Sequence, residues 1–184
     1  MEFIKTPISG PLILQPKVFG DKRGYFFESW RDAWFEKAGI DSKFVQDNES
    51  SSRYGVIRGL HYQLPPHPQA KLVRVILGHV LDIAVDIRKN SPTFGQHVAV
   101  ELSDENHLQF FIPHGFAHGF AVLSEQAVFT YKCDDYYHPE CEEGIAWDDP
   151  DLNIDWKINK QNAIISDKDK NNPLFKDIVN QSYE

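Results

Sequence analysis

Sulfur is scarce in this chain of 184 residues, which holds two cysteines and one methionine. Cys133 and Cys141 form no Cys-x-x-Cys pair and are too few to frame a chain of this length, so they read as free thiols in a reducing compartment. Long apolar runs are missing too. None would span a bilayer, and the first residues, MEFIKTPISG, lack the charged leader and apolar core of a secretion signal. A cytoplasmic location without membrane contact is expected. Basic charge is in deficit, with 19 Lys and Arg against 27 Asp and Glu for a net charge of −8. No basic tract interrupts the acidic background, which excludes a nucleic-acid partner but leaves a few arginines able to hold one diphosphate. Repeats, low-complexity tracts and linker-like stretches are absent, so residues 1–184 are expected to form one domain, large enough to bury a core unaided.

What the chain does have is alternation. Apolar residues recur at period two in short runs separated by Gly, Pro, Asn, Asp and Ser, which predicts an antiparallel β sandwich or barrel. The clearest runs are Leu12 to Phe19, Phe44 to Asn48, Val56 to Gln63, Leu72 to Leu77, Val80 to Ile87, His97 to Leu102, Leu108 to Ile112, Phe120 to Leu123 and Ala127 to Cys133. Such a set of short strands suits a two-sheet roll. Within Val80 to Ile87, Leu81, Ile83, Val85 and Ile87 share one face and Asp82 and Asp86 the other, so one side reads as core and the other as wet or functional. Helix is expected at Trp30 to Ala38, capped by Ser29, with Asp32 in the first turn and Gly39 closing it, and again near Pro173 to Val179. The polar stretch Ser166 to Asn172 reads as a solvated loop.

Three places carry candidate chemistry. In RGLHYQ, residues 58–63, His61 is either a base or a hydrogen-bonded packing residue, beside a glycine that lets backbone or ligand approach. Lys71 shares strand parity with Val73 and Val75, so it either needs an anion inside the protein or protects a strand edge in water. In FIPHGFAHGF, residues 111–120, Pro-x-Gly-x-x-His is similar to the second half of the cupin-barrel pattern, although a hairpin turn uses the same residues. Many cupins bind a divalent ion through His-x-His, a glutamate and that later histidine. Here the first pair reads His61-Tyr62-Gln63, so a ligand is missing and neither a structural nor a catalytic metal is expected.

Taken in order, VQDN, RGLHYQ, FIPHGFAHGF, YKCDDYY and WDDP resemble the dTDP-4-dehydrorhamnose 3,5-epimerase family along nearly the whole chain. The resemblance implies a mainly β, cupin-type antiparallel jelly-roll barrel with short peripheral helices. It also implies a homodimer, a dTDP-linked 4-keto-6-deoxy sugar as substrate, and no metal or nucleotide cofactor. Four positions match family catalytic residues: His61 as base, Asp169 as the carboxylate orienting it, Lys71 beside the carbonyl oxygen and Tyr131 as general acid. Substrate binding is expected at Arg23, Glu28, Gln46, Asn48, Arg58, His118, Glu142 and Lys168, with Glu140 and Glu143 competing for the place of Glu142. In a regular strand Arg58 and His61 would face opposite ways, so a bulge or a residue lent by a partner subunit is required. The intact catalytic set implies a double epimerase. The alternatives are a 3- or 5-mono-epimerase, a ketoisomerase, a non-catalytic sugar-nucleotide binding module and a metal-dependent cupin.

Overall fold

The computed structural model describes residues 1–178. In chain order the strands are β1 Glu2–Lys5, β2 Leu12–Gln15, β3 Phe19–Asp21, β4 Gly24–Phe26, β5 Gln46–Arg53, β6 Ile57–Gln63, β7 Lys71–Leu77, β8 His79–Asp86, β9 His97–Ser103, β10 Gln109–Ile112, β11 Phe116–Val122, β12 Gln126–Cys133 and β13 Glu142–Gly144. The helices are α1 Asp32–Ala38, α2 Asp167–Lys170 and α3 Phe175–Ile178. None of these is long and apolar enough to cross a membrane. Val179, the last residue of the second expected helix, lies outside the described residues.

A six-stranded sheet ordered β1-β2-β10-β7-β12-β5 faces a five-stranded sheet ordered β13-β6-β11-β8-β9, and β3 pairs with β4 as a separate hairpin. This is the expected cupin-type jelly roll. Val73, Val75, Val80, Ala84, Phe120 and Phe129 pack between the sheets. The outer face of the five-stranded sheet carries Leu81, Ile83, Val85 and Ile87, covered by the carboxyl-terminal residues Ile145, Leu152, Trp156, Phe175 and Ile178. On the outside of the other sheet, Phe35 of α1 packs with Leu14, Leu72 and Phe111.

Several local expectations are corrected by this arrangement. Neither face of β8 is wet: Asp82 and Asp86 are fully buried. The run Leu12 to Phe19 breaks after Gln15, where Pro16 has no N–H to continue a ladder. Strand β5 continues to Arg53 through the polar sequence QDNESSSR, because an edge position needs only alternate burial and β12 supplies its hydrogen-bonding partner. Strand β11 begins at Phe116 rather than Phe120, since small residues such as Ala117 and Gly119 let the whole stretch lie buried between β6 and β8. Helix α1 starts at Asp32 after Arg31, without a side-chain cap, while the Ser29 carbonyl accepts from Gln109 Nε2 at 2.6 Å. Gly39 closes it as expected, in the left-handed region at φ 71°. The supposed loop at Ser166 to Asn172 contains α2, whose Asp169 N–H donates to Ser166 Oγ at 3.1 Å.

Asp86 is a structural group. Burial, the largest influence on its carboxyl, raises the pKa, but hydrogen bonds from Arg88, Ser91 and Thr93 outweigh it and hold the group at about 2. A depressed acid contributes stability that is complete above its ordinary value and lost as pH falls through the folded one. Asp86→Asn is therefore expected to lower unfolding free energy by about 2 kcal/mol at pH 7 and by about half as much at pH 3. Urea denaturation of both proteins at the two pH values checks this, and an equal deficit at both would contradict it.

Candidate active site

Strand β6 runs between β13 and β11. Its register against β11 pairs His61 with His118 but Arg58 with Phe120, so β6 carries one extra residue over that interval. This bulge turns Arg58 and His61 toward the same cavity despite their odd spacing. Gly59, at φ 116°, makes it possible, since a Cβ there would sit 2.6 Å from both Gly119 Cα and His118 O.

The cavity measures about 570 Å3, within the usual range for a small-molecule site. Phe120, Phe129, Ile57 and Ile164 supply apolar wall, while His61, Lys71, His118, Tyr131, Glu142, Lys168, Asp169 and Arg58 supply the polar groups. Arg58 Nε donates to Ser52 Oγ at 3.1 Å.

His61 Nε2 lies 2.6 Å from Asp169 Oδ1. Burial pushes the Asp169 carboxyl up, yet the bonds from His61, Gly59 N–H and Ser166 together bring it below the ordinary value, so it stays ionised. An acceptor-only carboxylate puts the ring proton on Nε2 and leaves Nδ1 as the basic atom. Asp169 itself is only 4% exposed.

Lys71 opens β7 on the barrel interior, paired across the ladder with Cys133. Burial lowers its pKa below the usual 10.5, with Cys133, Glu142 and Asp82 pulling the other way. His118 Nε2 is 3.0 Å from both oxygens of Asp82. Burial pulls the His118 pKa down and that of Asp82 up, so each is drawn away from its charged form. On β12, Tyr131 lies in register with Asn48 of β5 and Val73 of β7, and burial raises its phenol above the ordinary value. At the rim, Glu142 is bound by Lys168 Nζ and by Tyr137 Oη, the latter at 2.7 Å.

Of the three competing glutamates, Glu142 lines the cavity, whereas Glu140 lies 3.0 Å from His138 Nδ1. Four other expected positions lie outside that cavity. Gln46 Nε2 donates to Asn48 Oδ1 at 3.1 Å and its Oε1 accepts from Tyr137 N–H at 3.1 Å. Asn48 lines an adjoining cleft of about 340 Å3 that shares Tyr131. Arg23 pairs with Asp21 on the exposed β3–β4 hairpin at 2.6 Å, and Glu28 with Arg31 at 2.6 Å. Strand parity puts Asp82 on a wet or functional face; its pairing there with His118 was not anticipated. Gln63, where a metal-binding cupin would place its second histidine, instead donates to His67 O at 2.7 Å and Tyr136 O at 3.2 Å.

An imidazole held by a buried carboxylate, an ammonium and a phenol line one cavity of this jelly roll, a constellation suited to proton transfer. Residues 5–177 match the family described as dTDP-4-dehydrorhamnose 3,5-epimerase. The enzyme of that name from Shigella flexneri is 55% identical over 178 residues, covering 96% of this chain and 97% of that protein. Its counterpart from Methanothermobacter thermautotrophicus is 54% identical over 180 residues, covering 94% and 97%. The crystal structure of dTDP-6-deoxy-D-glucose-3,5-epimerase from Legionella pneumophila in complex with dTDP-4-keto-L-rhamnose is 51% identical, with a TM-score of 0.94 and coverage of 100% of this chain and 98% of that one. The chain belongs to the dTDP-4-dehydrorhamnose 3,5-epimerase family.

Proposed function

We propose that this chain converts dTDP-4-dehydro-6-deoxy-D-glucose into dTDP-4-dehydro-L-rhamnose by inverting carbons 3 and 5, a step of dTDP-L-rhamnose biosynthesis. The carbonyl at carbon 4 acidifies the hydrogens on both neighbours. His61 Nδ1 removes one of them, and the C–H electron pair forms an enolate whose oxygen is held by Lys71. Tyr131 then delivers a proton from the opposite face; once solvent has taken the proton from His61 and reprotonated the Tyr131 phenolate, the cycle repeats at the other carbon. Asp169 keeps the ring oriented and stabilises the imidazolium. The base, acid and cation are all side chains, so the reaction as proposed uses no metal or nucleotide cofactor.

The observation that carries this reading is the 2.6 Å His61–Asp169 pair opening with Lys71 and Tyr131 onto one cavity. Arg58, His118, Glu142 and Lys168 are assigned to the sugar and diphosphate end, and Arg23, Glu28, Gln46 and Asn48 to the nucleotide. A single domain over residues 1–184, a cytoplasmic location and a homodimer belong to the same proposal. The dimer is supported by the exposed hairpin that carries Arg23 together with Phe19, Tyr25 and Phe26. Sizing in solution should give twice the chain mass, and a monomer would remove that support.

Proton NMR of the keto sugar nucleotide in deuterated water tests the chemistry. Deuterium entering at both carbons supports the double epimerase, entry at one carbon a mono-epimerase, and binding without exchange a binding module. Tyr131→Phe is expected to retain most proton removal while inverted product falls by on the order of 10²- to 10⁴-fold. Equal loss of exchange and inversion would contradict the assignment of Tyr131 as acid.

A further inference from the structure

Two loops meet beside the cavity rim, residues 64–70 between β6 and β7 and residues 134–141 between β12 and β13. Hydrogen bonds fasten them together: Gln63 bonds His67 O, Tyr136 O and His138 N–H, Gln69 Nε2 donates to Asp135 O at 2.8 Å, and Ala70 N–H to Asp134 Oδ1 at 2.6 Å. On this framework the rings of His67 and His138 stack at 3.5 Å between centroids with an interplanar angle of 7°. Each is met at Nδ1 by a carboxylate oxygen at 3.0 Å, from Asp135 for His67 and from Glu140 for His138. Potential ligand atoms of His67, Asp135 and His138 all lie within 4.8 Å of one another, the only such grouping among the described residues. None of the three lines the proton-transfer cavity.

We propose that His67, Asp135 and His138 bind a zinc-class divalent cation that staples these two loops, separately from the catalytic cavity. Two imidazole nitrogens with a carboxylate oxygen suit zinc and its neighbours, whereas calcium and magnesium take oxygen ligands almost exclusively. Zinc bonds of about 2 Å place neighbouring donors roughly 3.3 Å apart, so the three side chains need to close by about 1.5 Å at most, splaying the stacked rings. Glu140, bonded to His138 Nδ1, adds negative charge beside the position, and His67, Asp135 and His138 stay open to solvent, with His67 36% exposed. The stapled loop leads directly into Glu142, which Tyr137 also holds, so a bound cation would stiffen the rim of the cavity.

The test is calorimetric titration of the chelator-stripped full chain with zinc chloride, with calcium and magnesium chlorides as controls. One zinc per chain, a rise in Tm in excess zinc and no response to calcium or magnesium are expected. His67→Ala and His138→Ala should lose stoichiometric binding, and Asp135→Asn should weaken it on the order of 10- to 100-fold. His61→Ala should leave the stoichiometry unchanged, which separates this position from the catalytic pair. Without zinc, His67→Ala should exchange substrate hydrogens as the parent does. Absence of stoichiometric zinc binding in the parent, or undiminished binding in His67→Ala and His138→Ala, would overturn the proposal.

Discussion

His61→Ala is expected to reduce deuterium incorporation at both sugar carbons by on the order of 10³- to 10⁴-fold, toward the upper end for loss of a general base. Both carbons should respond together, because of the two cavity imidazoles only His61 is paired with a carboxylate drawn toward its charged form, whereas burial draws the His118–Asp82 pair away from charge. Asp169→Asn should approach the same deficit, since an amide at 2.6 Å no longer fixes the proton on Nε2. The double variant should be scarcely worse than either single one, as residues acting as a unit are not additive. Exchange followed by NMR at saturating substrate, with thermal melts to show that the variants fold, supplies the measurement. Loss at one carbon only, or multiplicative deficits in the double variant, would break the assignment of a single base.

Lys71→Met is expected to lower kcat by on the order of 10²- to 10³-fold with a much smaller change in KM, because the ammonium interacts more strongly with the enolate oxygen than with the ground-state ketone. The same group should shape the alkaline limb of the pH profile. Burial lowers the Lys71 pKa, so the ammonium is lost as pH rises through a value below the usual 10.5, while burial moves the Tyr131 phenol the other way. The alkaline fall in activity should therefore begin below the ordinary lysine value. In Lys71→Arg the residual activity should persist to higher pH, because a guanidinium keeps its charge. Profiles of kcat against pH for parent and variant check the sign, and an alkaline limb that stays in place in Lys71→Arg would assign it elsewhere.

The strands that could be read in advance were those whose alternation separates two apolar environments or an apolar from a polar one. Val80 to Ile87 is the clearest case, although its second face proved to be barrel interior rather than solvent. The continuation of β5 beyond Asn48 escaped because ESSSR pairs at a sheet edge through backbone groups, which every residue type but proline supplies. The parity of Lys71 with Val73 left open whether its ammonium entered the barrel or stayed in water, and the cavity it lines decides for the interior. Asp169 was reached only through the family resemblance: in SDKDKNN it has the composition of a solvated loop, and its capped turn against β6 is what buries it.

Chain composition and period-two patterning by themselves determined a mainly β protein with free cysteines, an acidic surface and His61, Lys71 and Tyr131 on the right strands, because alternation and residue chemistry are local. Tertiary structure decided which of these groups meet. His61 and Asp169 are 108 residues apart and touch at 2.6 Å, and Arg58 joins His61 only through the bulge that Gly59 allows against Gly119. Both arrangements depend on pairing between distant segments, where a shift of one residue reverses every side chain and no local pattern records the register.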